Sequence, residues 1–98
     1  MNANAFFTTE NTHRYLGTLC KHFGHKVPVT LDTGAGRIEL PFGQCDLRAD
    51  ATGLHLAVST RDRPALDKAI DVISSHLDRF AFRETPELTW TITESAGA

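Results

Sequence analysis

From Val27 to Ser59 the chain reads VPVTLDTGAGRIELPFGQCDLRADATGLHLAVS. Apolar side chains recur at every second position: Val27, Val29 and Leu31; Ile38, Leu40 and Phe42; Cys45, Leu47 and Ala49; Leu54, Leu56 and Val58. A period of two belongs to the extended chain, whose side chains alternate between faces. The runs are separated by Asp32-Thr33-Gly34-Ala35-Gly36, by Gly43 and by Asp50-Ala51-Thr52-Gly53, all compositions that turn a chain. The segment is therefore expected to form a four-strand meander. One face is apolar. The other carries Arg37, Glu39, Asp46, Arg48 and His55, whose charges largely cancel, as in an antiparallel sheet covered on one side. Pro28 has no amide hydrogen for a ladder, so the first strand is expected at an edge or beginning there.

The flanks supply what covers that face. Upstream, alternation predicts a short strand at about Ala3–Thr8. Thr9 or Asn11 can then cap a helix running to about Phe23, with Gly24 as its stop. Tyr15, Leu16, Leu19, Cys20 and Phe23 form its apolar stripe. Downstream, Asp62 can cap a second helix with Pro64 in the first turn. Leu66, Ala69, Ile70, Ile73, Leu77, Phe80 and Ala81 give it a wide apolar face, and it is expected to end near Arg83, before Pro86. Phe80 reads as core, whereas Phe82 points elsewhere, onto a loop or a partner. Leu88, Trp90 and Ile92 alternate with Thr89, Thr91 and Thr93 in a last strand, and residues 94–98 are expected to fray. The order is β-α-β-β-β-β-α-β, a two-layer α+β sandwich with both helices on one face of an antiparallel sheet. Leu16, Leu19, Ile38, Leu47, Leu56, Ile70, Ile73, Leu77 and Trp90 are expected to be buried together. The order resembles half of the TATA-binding-protein-like fold with an added C-terminal strand, a likeness of architecture that brings no function with it.

The 98 residues are expected to make a single domain, 1–98. With 41 % hydrophobic and 22 % charged residues the chain is neither disordered, collagen-like nor a coiled coil. Ten Lys and Arg against twelve Asp and Glu leave a net charge of −2, the wrong sign for a module held by nucleic-acid phosphates. Protonating all five histidines would make it +3. Cys20 and Cys45 are too few for a disulfide framework and fall at apolar positions, as expected in a reducing compartment. No run approaches the ~20 apolar residues of a membrane span, and the start of the chain lacks the pattern of a signal peptide. The expected location is the cytoplasm.

Two segments carry chemistry. In His22-Phe23-Gly24-His25-Lys26 the histidines lie three apart, close enough to share a ligand or, as a weaker reading, a metal ion held by His22 and His25. The competing reading is that these cations complement the negative end of a helix. In the segment from His76 to Glu84, His76, Arg79 and Arg83 fall along one side of the expected helix, where they could hold a carboxylate or phosphate. The competing reading is again helix-end cations whose stems cover the core edge. No G-x-S-x-G elbow, P-loop or G-x-G-x-x-G is present, so hydrolase, flavin and nicotinamide chemistry have no motif.

Arg14-Tyr15-Leu16, His22-Phe23-Gly24-His25-Lys26, His76-Leu77-Asp78-Arg79-Phe80-Ala81-Phe82-Arg83-Glu84 and the late Trp90 together resemble the bacterial domain-of-unknown-function 2218 family. The likeness spans about Arg14 to Trp90. The resemblance implies no established activity. Similar domains attached to siderophore-interacting, flavin-reductase-like proteins imply a link to iron handling and such a protein as partner. The leading expectation is a non-catalytic binding or accessory module in which His22, His25, Lys26, His76, Arg79 and Arg83 receive an anionic ligand. A small enzyme with a histidine base and a structural domain that dimerises through a sheet edge or exposed aromatics such as Phe6 and Phe82 are the alternatives.

Overall fold

The computed structural model describes residues 1–84 and 88–93, except for the side chain of Phe82. The expectations for Phe82, Pro86 and the 94–98 tail fall outside the described residues. Six strands and two helices follow in the expected order: β1 Asn2–Thr8, α1 Thr12–Phe23, β2 Val29–Asp32, β3 Ala35–Leu40, β4 Gly43–Ala49, β5 Gly53–Thr60, α2 Arg63–Phe80 and β6 Thr91–Thr93. A 3-10 turn, Phe82–Glu84, follows α2. All strand pairs are antiparallel, in the order β2-β3-β4-β5-β1-β6. No described helix is long and apolar enough to cross a membrane.

Local chemistry accounts for the joints. Asp32 pairs with Ala35 across the two-residue turn Thr33-Gly34; Gly34 takes φ +76°, and the Asp32 carboxylate accepts from the Thr33 amide. Asp62 accepts from the Ala65 amide and caps α2, with Pro64 in the first turn. At α1 the N-cap is Asn11, but its side chain makes no capping bond; it reaches Glu84 instead. Gly24 closes α1 in a right-handed conformation (φ −60°, ψ −16°) rather than the left-handed one glycine stops commonly take. The chain leaves through tight bonds from the Lys26 and Val27 amides to the Phe23 carbonyl.

Both helices lie on the face from which Ala3, Ala5, Phe7, Ile38, Cys45, Leu47, Leu54, Leu56 and Val58 project. Leu16, Leu19, Leu66, Ile73 and Leu77 close the core from above. As Pro28 led one to expect, the second strand starts just after it, at Val29, and is an edge strand. Other expectations need correction. Leu31, on the inward phase of this edge strand, is 53 % exposed. The final strand is only Thr91–Thr93, since Trp90 instead turns to α2, where its Nε1 donates to Ser74 Oγ at 2.9 Å. Trp90 and Ile70 pack at the margin of the core and are partly buried, and Phe80 is likewise half-buried. Helix α2 stops at Phe80 because buried Ala81 leaves helical geometry (φ −111°, ψ 28°), so Arg83 sits in the 3-10 turn and not on a side shared with His76 and Arg79.

Candidate functional site

The last turns of α1 and α2 bring the two histidine segments together. Their common point is His22: its ring centroid lies 4.7 Å from that of His76, at 48°. Phe23 packs on His76 at 4.8 Å and Phe80 on His22 at 5.4 Å, so the imidazole pair sits between two aromatic side chains. This follows from the phase of each helix. Phe23 faces the core, and the neighbouring His22 stands at the edge of the buried stripe, turned toward α2. His76 precedes buried Leu77 and occupies the equivalent edge of α2.

The two rings are prepared differently. His76 Nδ1 lies 2.7 Å from the Val72 carbonyl oxygen, which can only accept, so Nδ1 carries the proton and Nε2 remains for another partner. For His22, burial first, then the His76 ring and the charges of Lys26, Arg79 and His25, push the proton affinity below the ordinary histidine value of 6.5. Lys26 and Arg79 are exposed, and among the described residues neither is ion-paired with a carboxylate. His25 is exposed in the turn beyond α1 and contributes charge rather than a ring to the stack. Arg83 is exposed and lies in the 3-10 turn. The contact is thus His22 with His76, rather than the His22–His25 pair read from spacing. Among the described residues no group of three or more His, Cys, Asp or Glu side chains is arranged to hold a metal ion.

Below this cluster lies a clasp that the sequence reading passed over. Glu84 Oε1 accepts from Thr9 Oγ1 at 2.6 Å, and Oε2 accepts from Asn11 Nδ2 at 3.1 Å and from the Tyr15 hydroxyl. These donors, Thr9 first, hold the Glu84 carboxyl below its ordinary range, while the bond to Glu84 pushes the Tyr15 phenol up. The signal was available: Glu84 ends the second motif and Tyr15 belongs to the first. Elsewhere both cysteines are buried and free, and burial pushes the Cys45 thiol up to about 12, which removes it as a nucleophile.

The family described as "Uncharacterized protein conserved in bacteria (DUF2218)" matches residues 4–91. PA4090 from Pseudomonas aeruginosa, solved by NMR, is similar at 32 % identity, with 96 % of this chain and 98 % of that chain covered and a TM-score of 0.81. No curated protein matches.

Proposed function

The chain belongs to DUF2218, a family of uncharacterised bacterial proteins, and we propose that it serves as a non-catalytic module binding a small anionic ligand at the His22–His76 cluster. The observation that carries this reading is the 4.7 Å approach of two imidazoles from segments far apart in sequence, beside Lys26 and Arg79, neither ion-paired among the described residues. Helix-end electrostatics account for cations at these termini, but not for two histidine rings in tilted contact between Phe23 and Phe80. Arg79 offers a planar fork to a carboxylate or phosphate, Lys26 a second charge, and His76 Nε2 a directional contact. The aromatic side chains suit an apolar part of the same ligand. A ferric chelate with peripheral carboxylates fits this description. With such a ligand the module would serve siderophore or iron metabolism in the cytoplasm, with a siderophore-interacting reductase-like protein as its partner. Binding is preferred over a histidine-base enzyme because, among the described residues, neither ring is paired with a carboxylate.

Titration with citrate and with inorganic phosphate, followed by amide resonances, tests the proposal. Resonances of residues 22–26 and 76–80 are expected to move saturably, and Arg79→Ala to abolish the movement while leaving the rest of the spectrum in place. No movement in either segment with either anion would overturn the reading.

A further inference from the structure

The uncovered face of the sheet holds a second constellation. Arg48 on β4 and His55 on β5 are direct cross-strand partners, and both line a trough of about 510 Å³ with Asn4, Ala35, Asp46 and Ala57. The volume lies in the range of small-molecule sites. Averaged over the face the charges cancel; taken pair by pair they do not. Arg37 is bonded to Asp46 at 2.7 Å and His55 to Asp50 at 2.6 Å, whereas Arg48 has no ion-pair partner among the described residues.

His55 is also held in place. Asp50 Oδ1 accepts from the Thr52 amide, the Thr52 hydroxyl and the Gly53 amide, which fixes the carboxylate and keeps its proton affinity well below the usual carboxylate range. Its Oδ2 can then only accept from His55, so Nε2 carries that proton and Nδ1 is left for another partner. The Phe6 ring packs on the imidazole at 4.5 Å and limits its rotation. An oriented imidazole beside a guanidinium without an ion-pair partner among the described residues, over a floor of alanine methyl groups, has the features of a recognition site.

We propose that the open face of the sheet carries a binding site, separate from the helix cluster, for a small organic monocarboxylate, with the carboxylate on Arg48 and His55 and the apolar body over Ala35 and Ala57. One guanidinium fork matches one carboxylate. The neighbouring Asp46 and Asp50 carboxylates repel a doubly charged phosphate more than a singly charged acid, which sets the ligand class.

The probes are benzoate, its neutral isostere benzamide, and inorganic phosphate, each titrated into the whole chain and followed by amide resonances. Benzoate is expected to move residues 46–48 and 55–57 saturably, with benzamide and phosphate at least about tenfold weaker. Arg48→Gln and His55→Gln, both at surface positions, should each weaken benzoate binding about tenfold or more. Arg79→Ala should leave it unchanged, which separates this site from the helix cluster. Absence of a saturable shift in those two segments, an equal response to benzamide or phosphate, or an Arg48→Gln variant that binds as tightly would each overturn the proposal.

Discussion

Burial against Phe23, Phe80 and His76 strips water from the His22 imidazole, and Lys26, Arg79 and His25 add positive charge around it; every one of these influences favours the neutral ring. The folded value therefore lies below the ordinary 6.5 kept in the unfolded chain. Between the two values the unfolded chain binds more protons, so stability rises with pH. The contribution is complete above about 6.5 and is lost as the pH falls through the lowered folded value. Ring resonances followed through a pH titration should show His22 titrating below 6.5, and His76→Gln should shift it upward by removing one repulsive neighbour and opening the cluster to water. A His22 that titrates at the ordinary value in both proteins would contradict the packing. As individual residues His22, His76 and Arg79 were legible in the sequence because their types and spacing are unusual. Their meeting was not, since no local pattern says which helix edge faces which. His55 escaped notice for the opposite reason. Its pairing with Asp50 arises across a turn, while a face-wide sum of charges conceals which cation is left over.

The helices and strands show where local pattern stops being sufficient. Period-two alternation placed β3, β4 and β5 well, because Ile38, Cys45, Leu47, Leu54, Leu56 and Val58 are buried on the inward face and the turns before β3 and β5 carry their own chemistry in Asp32, Gly34 and Asp50. The end of α2 was misplaced because apolar spacing continues through Ala81 while the backbone does not. The departure at Ala81 swings Glu84 beneath the start of α1, where three donors from the 9–15 segment converge on its carboxylate. This clasp joins the 3-10 turn to α1, and Tyr15, only 7 % exposed, would lose its acceptor without it. Glu84→Ala is therefore expected to cost roughly 1–3 kcal/mol in denaturant unfolding at neutral pH, chiefly by leaving a buried hydroxyl unsatisfied. The sign with pH follows from the lowered carboxyl. Its contribution is present above the ordinary 4.5 and disappears as the pH falls through the lower folded value, so wild type and Glu84→Ala should converge in acid. A constant gap between them down to strongly acid pH would show that the carboxylate does not hold the clasp.

At the scale of the molecule, the radius of gyration of 12.6 Å is that of a packed chain of this length, and one contiguous core joins β1, at the start of the sequence, to β3, β4, β5 and both helices. The sheet order was the least legible feature. β1, first in sequence, lies between β5 and β6 and is bonded to both, a placement that follows from Ala3, Ala5 and Phe7 needing cover from α2 rather than from any signal within residues 2–8. The core is organised around side chains that reach the sheet from above, and α2 separates two isoleucines by that criterion. Ile73 is fully buried between Leu77 and the strands, whereas Ile70 lies at the margin, partly open to solvent. Removing Ile73 to alanine takes away its burial and leaves a cavity in the core, so a loss of about 2–5 kcal/mol is expected, with Leu77→Ala in the same range. At Ile70 water already reaches part of the side chain and can fill the vacated space, so Ile70→Ala should cost clearly less. Because the whole domain is stabilised by only about 5–15 kcal/mol, the first two variants should move the urea midpoint far while leaving the slope of the transition unchanged. Equal losses at positions 70 and 73 would mean that α2 is rotated about its axis relative to the sheet. In that case His76, three residues beyond Ile73, would no longer stand at the edge where it meets His22.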